Sequence, residues 1–94
     1  MASEVLHDPG MHRYELLVDG AQAGAADYRL AEGEIVFIHT EIDPGLRGHG
    51  LGRELARGAL NLVRAESDHR VRALCPFMGR FLEEHPEYQE LTRR

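Results

Sequence analysis

The chain has 94 residues, of which 43% are hydrophobic and 29% are charged, and its net charge is −5. This length allows one domain with a modest core, and the composition is too apolar for a disordered protein. The negative charge argues against a general nucleic-acid binder, because basic residues that neutralise phosphates dominate such affinity. A single Cys excludes an internal disulfide and no apolar run approaches a membrane span, so we expect a cytoplasmic protein without membrane association.

The N-terminal half predicts an antiparallel meander of three strands. Residues 1–10 show no regular pattern, and we interpret residues 1–12 as a flexible leader before a single domain at 13–94. Strand patterns separated by tight, glycine-containing turns follow at residues 13–18, 21–30 and 34–42.

After the third strand, the spacing of hydrophobic residues becomes that of a helix. One stripe of residues 50–66 is formed by Leu51, Leu55, Ala59, Leu62 and Val63. Residues 70–75 predict a short strand, and Pro76 begins a second helix that ends near Glu84. The predicted fold is therefore α/β (α+β), in the order meander, glycine loop, helix, strand, helix.

The segment between the third strand and the first helix is rich in glycine. Glycines let backbone N–H groups approach an anion closely, and the start of a helix adds a partial positive charge. Arg47 adds a fixed charge suited to phosphate oxygens. The chain has no Lys, which excludes a Walker loop, and the spacing of its glycines does not match the dinucleotide fingerprint. We interpret this segment as a phosphate-binding loop; the alternative is a glycine-rich turn without a ligand.

The pattern Arg47-x-x-Gly50-x-Gly52 resembles the acetyl-coenzyme A binding motif of the GNAT superfamily of N-acetyltransferases. The segments HTE at 39–41, CPFM at 75–78 and HPEY at 85–88 are similar to the small GNAT-like family of YjdJ-type and N-acetyltransferase domain-containing proteins. The resemblance covers roughly residues 13–90. It implies a minimal GNAT fold that lacks the usual N-terminal helices and C-terminal hairpin.

The same resemblance implies that acetyl-coenzyme A binds as a co-substrate. The residues expected to contact it are Ile42, Arg47, Gly48, His49, Gly50, Leu51 and Gly52. The loop would hold the pyrophosphate, and Ile42 would offer backbone groups to the extended pantetheine arm. For His49 the simpler alternative is a loop residue that faces solvent.

Cys75 is the first candidate catalytic residue. Many GNAT enzymes place a Tyr on the helix after the next strand as an acid, whereas this helix offers Phe77 and Phe81. At the start of that helix, free N–H groups and the helix dipole would favour a thiolate at Cys75. Cys75 would accept the acetyl group or return a proton to the leaving thiolate. The alternative is an inert Cys buried in the core.

His39 and Glu41 are the other catalytic candidates. Strand alternation predicts that Phe37 shares their face, while Ile38, Thr40 and Ile42 share the other. A His and a carboxylate two residues apart could form a base and its orienting partner, and the alternative is a solvated surface pair. The remaining histidines lack the spacing of metal ligands, so we expect no metal site.

These interpretations lead to an acetyl-coenzyme A-dependent N-acetyltransferase that acts on an unidentified amine. A coenzyme A or acyl-coenzyme A binding module with weak or no catalysis is the alternative, and an interaction protein without a ligand is the third hypothesis. Acceptor pockets in the superfamily are built largely from segments missing here, so the acceptor side would be open. An open side suits a protein or peptide amine, or a site completed by a second subunit, and we expect a monomer or weak homodimer.

Overall fold

The computed structural model describes residues 2–94. Its strands are β1 (Ser3–Asp8), β2 (Arg13–Val18), β3 (Ala21–Ala31), β4 (Glu34–Ile42) and β5 (Arg70–Ala73). Its helices are α1 (Leu51–Glu66) and α2 (Pro76–Glu84), with 3₁₀ segments at Pro44–Leu46 and Pro86–Arg93. The predicted α/β class and the order meander, glycine loop, helix, strand, helix are confirmed.

The described strands form one five-stranded sheet in the order β1-β2-β3-β4-β5. The first four strands are antiparallel neighbours, whereas β5 runs parallel to β4. A tight turn cannot join parallel neighbours, and α1 supplies the long connection that this arrangement needs. The C-terminal end of β4 therefore leads, through residues 43–50, to the N-terminal end of α1.

The N-terminal segment departs from the sequence analysis. The expectation of a flexible leader at residues 1–12 is wrong, because Ser3–Asp8 forms β1 and pairs along its whole length with β2; Met1 lies outside the described residues. Val5 packs against Gly58 of α1. All six residues of β1 are exposed or half-buried, so this edge strand has no clear alternation of buried and exposed positions.

One face of the sheet and all the helices share a single core. Along β2 the buried side chains are Tyr14, Leu16 and Val18, and the residues between them are half-buried. The buried residues of α1 are Leu51, Leu55, Ala56, Ala59, Leu60 and Val63. Buried side chains of α2 and of the C-terminal 3₁₀ segment join the same cluster. The helices therefore cover one face and leave the opposite face of the sheet open.

The C-terminal segment anchors α2 to α1. The Tyr88 hydroxyl donates to Asn61 Oδ1 at 2.8 Å, and the Arg64 guanidinium lies 4.9 Å from the centre of the Tyr88 ring. His85 Nδ1 donates to the Phe81 carbonyl at 2.8 Å at the end of α2. These contacts hold the helix that follows β5 in a defined position beside the sheet.

A cluster of rings ties β1 to the meander. The His7 ring stacks on Tyr14 with 4.3 Å between centroids, and its Nε2 lies 2.6 Å from the Tyr28 hydroxyl oxygen. Burial, followed by the nearby Tyr28 and Glu66, raises the pKa of Tyr14 above its ordinary value. Burial, followed by Asp8, also raises the pKa of Tyr28. Both phenols therefore favour their neutral form more strongly in the folded state than in the unfolded chain.

The open face of the sheet is polar. Asp8, Arg13, Asp27 and His39 follow one another across the first four strands in register. Arg13 also forms an ion pair with Glu15 at 2.8 Å. This pattern is typical of a solvated face. Among the helices of residues 2–94, none combines the length and the apolar character needed to cross a bilayer.

Candidate active site

The candidate site begins where β4 and β5 part. Their parallel pairing runs from Glu34↔Arg70 to Phe37↔Ala73 and then ends. The Phe37 carbonyl accepts from the N–H groups of both Leu74 and Cys75, at 2.9 and 3.1 Å, as the chain turns into α2. The second half of β4 continues to Ile42 without a β5 partner. The sheet therefore opens into a gap at this point.

Backbone groups of β4 face this gap. The Asp43 N–H donates to the Ala23 carbonyl of β3 at 2.7 Å. Because hydrogen bonding alternates along an antiparallel strand, the backbone groups of Glu41 also point toward β3, whereas those of Thr40 and Ile42 point toward the gap. The Ile42 backbone therefore borders the gap, and its contact with an extended ligand stays a prediction.

A β-bulge decides which side chains reach the gap. Tyr28 of β3 pairs with Phe37, and Asp27 pairs with His39, so Ile38 has no partner. The extra residue shifts the alternation of side chains by one position. Phe37 is consequently buried in the core on the same face as Thr40, and the prediction that Phe37 shares a face with His39 and Glu41 is wrong.

The glycine-rich loop follows the gap directly. Asp43 Oδ1 accepts from the Gly45 N–H at 2.9 Å and begins the short 3₁₀ turn. Gly48 and Gly50 then have φ angles of +89° and +74°, and a Cβ added at either position would meet open space. Glycine is required at both positions by backbone conformation and not by crowding.

The loop places the uncapped N-terminus of α1 and the positively charged side chain of Arg47 beside the gap. Gly50 is the N-cap of α1 and supplies no side-chain hydrogen bond, so the first N–H groups of this 16-residue helix stay available. Arg47 is exposed, and its side chain has no hydrogen bond or ion pair within the described part of the chain. Together these groups form a positive concavity suited to phosphate.

The gap and the loop form one groove of about 430 Å³. Its wall consists of His39, Thr40, Glu41, Ile42, Leu46, Arg47, Gly48, Gly50, Leu51, Gly52 and Phe77. The structure thus brings together six of the seven residues predicted to contact a cofactor. The seventh, His49, is exposed and does not line the groove.

Gly52 also has a packing role that the sequence analysis did not predict. A Cβ built on Gly52 would lie 2.9 Å from Cζ of Phe77, so the absence of a side chain lets the Phe77 ring pack against the first turn of α1. The Phe77 side chain is 40% exposed and forms part of the groove wall. Sequence analysis noted Phe77 only as a replacement for Tyr and missed this contact, because it joins residues of two different helices.

Cys75 lies behind the groove wall and points to Thr40. The Cys75 side chain is 7% exposed, and its Sγ donates to Thr40 Oγ1 at 3.4 Å. Cys75 is the N-cap residue of α2, yet its thiol makes no capping hydrogen bond to that helix. Thr40 is therefore the polar group that joins the thiol to the groove. Sequence analysis missed it, although a polar residue on the apolar face of β4 was a usable signal.

His39 and Glu41 lie together on the open side of β4. His39 Nε2 is 3.7 Å from Glu41 Oε2, and the two side chains are 60% and 68% exposed. They belong to the face opposite the one on which Thr40 and Cys75 meet, although all except Cys75 line the groove. The three predicted catalytic residues therefore do not form one hydrogen-bonded group. Residues 2–94 contain no group of three or more His, Cys, Asp or Glu arranged to hold a metal ion.

Comparison with known proteins identifies the family. The family model described as GCN5-related N-acetyltransferase matches residues 13–91, which span the meander, the glycine loop and both helices. The chain belongs to the GCN5-related N-acetyltransferase family. This match covers every residue from which the groove is built.

Curated relatives resemble this member of the family along nearly its whole length. Protein NATD1 of Bos taurus is 32% identical over 91 residues, which cover 95% of this chain and 80% of that protein. Protein NATD1 of Xenopus tropicalis is 33% identical over 92 residues, and the human protein is 30% identical over 91 residues. The name NATD1 does not describe an activity.

A solved structure shares the fold. The ribosomal-protein-alanine N-acetyltransferase of Brucella melitensis biovar Abortus 2308 superposes with a TM-score of 0.54 at 15% identity. The match covers 80% of this chain and 57% of that one, so this chain spans just over half the length of the solved enzyme. At this identity the likeness concerns the GNAT fold alone.

Proposed function

We propose that this protein is an acetyl-coenzyme A-dependent N-acetyltransferase that transfers an acetyl group to an amine. The observation that carries the proposal is the continuity of the groove. The parted strands lead directly into a glycine loop with an unpaired Arg47 and an uncapped α1 N-terminus. An elongated ligand with a thioester at one end and phosphates in its middle fits this order of groups.

The residues present fit coenzyme A at two points. The open space above Gly48 and Gly50 lets backbone N–H groups approach the pyrophosphate, and Arg47 offers a paired donor for its oxygens. The backbone groups of Thr40 and Ile42 point into the gap, where the amides of a pantetheine arm would pair with them as an added strand.

Bound acetyl-coenzyme A supplies an activated acetyl thioester. In the transfer, the amine nitrogen attacks the thioester carbonyl, a C–N bond forms and the C–S bond breaks. The amine loses a proton, for which exposed His39, oriented by Glu41, is the proposed acceptor. Coenzyme A thiolate gains a proton, for which Cys75 with Thr40 is the proposed source. In an alternative role, the Cys75 thiol attacks the thioester carbonyl, the bond to coenzyme A breaks and the thiol proton passes to the departing thiolate. The amine then takes the acetyl group from Cys75 and gives a proton back to it, which restores the thiol.

The open face of the sheet is the proposed side of approach for the amine. Glu41 lines the cofactor groove and also a depression of about 400 Å³ on this face. Asp27 and Asp43 line the same depression, together with the already paired Arg13. Carboxylates beside the gap favour a protonated amine by electrostatic attraction. None of the helices in residues 2–94 covers this face, so a large acceptor such as a peptide would have access.

A coenzyme A binding module without efficient catalysis is the second candidate. Two observations favour it: the 7% exposure of Cys75, and the presence of Phe77 and Phe81 where an acidic hydroxyl would be expected on α2. Both candidates share the groove and differ only in whether the proton donor works.

Ligand titration followed by turnover separates these functions. Acetyl-coenzyme A should raise the melting temperature in a concentration-dependent way, because a ligand that binds only the folded state stabilises it. Release of coenzyme A with small amines and N-terminal peptides as acceptors would then establish transfer. Cys75→Ala should retain the melting shift and lose the release of coenzyme A.

The results that would count against each function are distinct. A melting shift without release of coenzyme A, for any amine tested, would favour the binding module. The absence of any melting shift would exclude both functions. Acetylation of Cys75, followed by mass spectrometry, would have to exceed that of the denatured protein to count as chemistry of the folded site.

A further inference from the structure

The two edges of the sheet differ in how they are covered. The edge strand β5 has four residues, and the C-terminal 3₁₀ segment packs beside it. At the other edge, β1 has six residues, contains no Pro and pairs with β2 without a bulge. Within residues 2–94, no further strand pairs with the outer side of β1. A regular edge strand with free backbone groups can pair with another chain.

The hydrogen bonds to β2 identify the free backbone groups of β1. The Asp19 N–H donates to the Ala2 carbonyl at 2.7 Å, so the backbone of Ala2 bonds toward β2. Because this direction alternates along an antiparallel strand, the even-numbered residues of β1 also bond toward β2. The N–H and C=O groups of Ser3, Val5 and His7 therefore point outward, and they have no hydrogen-bond partner in the described part of the chain.

We propose that β1 pairs with β1 of a second copy of this chain, antiparallel and centred on Val5, so that the sheets of a symmetric dimer become continuous. In this register Val5 faces the partner's Val5, and Ser3 faces the partner's His7. Only this register gives every outward residue of β1 a facing residue in the partner's β1, with which it exchanges both backbone hydrogen bonds.

The charges on the open face of β1 favour the same register. Facing residues of an antiparallel pair lie on the same face of the sheet, and Glu4, Leu6 and Asp8 lie on the face opposite Val5. Centred on Glu4, the pairing would set Glu4 against its own copy. Centred on Leu6, it would set Glu4 against the partner's Asp8 twice. Like charges that face each other are destabilising, whereas the register centred on Val5 sets Glu4 against the partner's Leu6.

The pairing would also cover apolar surface on both faces of the edge. Leu6 is 44% exposed on the open face, and in the dimer it would lie diagonally from the partner's Leu6. On the helix face, Val5 packs against Gly58 of α1, which has no side chain to rise beside the strand. Half-buried Leu62 lines the same depression between β1 and α1. Apolar contacts therefore add to the backbone hydrogen bonds of the dimer.

This inference goes beyond the proposed function and does not depend on it. No residue of β1 lines the groove, so the groove would stay open in both copies. The dimer would leave the open face of each sheet uncovered as well, because the two sheets join edge to edge.

Leu6 provides a test whose sign depends on the register. Leu6→Glu places a carboxylate opposite the partner's Glu4, and Leu6→Lys places an ammonium group there. Each facing pair occurs twice in the dimer, which corresponds to about a two- to thirtyfold effect on the dissociation constant. We expect the Leu6→Lys dimer to be tighter than the Leu6→Glu dimer by this factor in sedimentation equilibrium of the full chain. Leu30→Lys and Leu30→Glu are matched controls that should not differ, since Leu30 is 47% exposed and lies on β3.

Hydrogen exchange of the unmodified protein provides a second measurement that needs no variant. The N–H groups of Ser3, Val5 and His7 should exchange more slowly as the protein concentration rises. The N–H group of Leu6 should be protected at low and high concentration alike, because it bonds toward β2.

Three results would overturn the inference. The first is a monomer at all concentrations up to about 1 mM, the weak end of specific association. The second is equal dissociation of the two Leu6 variants, which would mean another surface or another register. The third is exchange at Ser3, Val5 and His7 that does not change with concentration. None of these measurements involves coenzyme A, so failure of the proposed function would leave this inference standing.

Discussion

The thiol of Cys75 donates a hydrogen bond to the hydroxyl of Thr40 over 3.4 Å, and this contact joins the start of α2 to the parted edge of β4. Thr40 lines the groove, whereas Cys75 lies buried behind it. A hydroxyl beside a thiol can turn and donate to the thiolate, and hydrogen bonds to a charged group are stronger than those to a neutral one. Thr40 is therefore placed to control the reactivity of Cys75.

Replacing Thr40 with Val should slow alkylation of Cys75, because Val keeps the shape of the side chain and removes its hydroxyl. The loss of one hydrogen bond of about 0.5–1.5 kcal/mol corresponds to about a two- to tenfold lower rate at neutral pH. Thr40→Ser should restore the rate. Alkylation can be followed by mass spectrometry, with the denatured proteins as a control for intrinsic thiol reactivity. Equal rates in all three folded proteins would show that Thr40 has no influence on the thiol.

Replacing Arg47 with Ala should weaken coenzyme A binding by about 1.5–3 kcal/mol, the range for hydrogen bonds to charged groups. Because Arg47 is exposed and unpaired within the described chain, its loss should leave the melting temperature of the free protein unchanged. Calorimetric titration measures the affinity, and Arg29→Ala serves as a control of equal charge change. An Arg47 variant with unchanged affinity would exclude this residue from the phosphate site.

Replacing Gly50 with Ala should strain the loop, although its Cβ would meet nothing within 4 Å. A non-glycine residue at φ +74° costs about 1–2 kcal/mol, and relief of this strain would reshape the start of α1. We expect a lower melting temperature and weaker coenzyme A binding. Gly79→Ala is the matched control, since Gly79 also has open space but lies inside α2. That variant should gain up to about 1 kcal/mol through helix propensity, and a similar gain at Gly50 would refute the strain argument.

Replacing Gly58 with Ala should destabilise the protein, although Ala is ordinarily the better helix former by about 1 kcal/mol. The new Cβ would overlap Cγ2 and Cβ of Val5, and overpacking costs about 1–3 kcal/mol. We expect a net loss of up to about 2 kcal/mol in urea unfolding. In a Val5→Gly background, which also removes the Val5 Cβ that would lie 2.6 Å away, the same change at Gly58 should become stabilising. The reversal of sign would demonstrate that β1 packs on α1 in solution, whereas a stabilising Gly58→Ala in the unmodified protein would contradict this contact.

Alkaline pH should destabilise the fold through Tyr14. Burial raises the pKa of this phenol, so the folded state holds the proton more tightly than the unfolded chain does. The stabilisation is fully present below the ordinary tyrosine pKa of 10.0 and is lost as the pH rises above it. Tyr14→Phe should reduce the pH slope of the unfolding free energy by up to about 1.4 kcal/mol per pH unit. Urea unfolding at a series of alkaline pH values measures the slope, and an unchanged slope would show that Tyr14 does not titrate differently in the two states.

Local signals account for the elements that sequence analysis placed correctly. The bounds of β2, β4 and α2 follow from alternation, from glycine turns and from Pro76 at the first helical position. The position of the glycine loop could also be predicted from the sequence, because the positive φ angles at Gly48 and Gly50 are a local property of the backbone that favours glycine. The edge strand β1 was missed because its short apolar contact with α1 leaves no periodic pattern.

By itself, the sequence determined the order of the elements from β2 to α2, the place of the glycine loop and the family resemblance. Periodicity, turn chemistry and glycine spacing act over a few neighbouring residues, so they can be read along the chain. Only the tertiary structure decided which side chains meet in the groove. The bulge at Ile38 moved Phe37 into the core and away from His39, and the pairing of Cys75 with Thr40 joins residues 35 positions apart. Such contacts depend on the packing of separate elements, and no local pattern in the sequence specifies them.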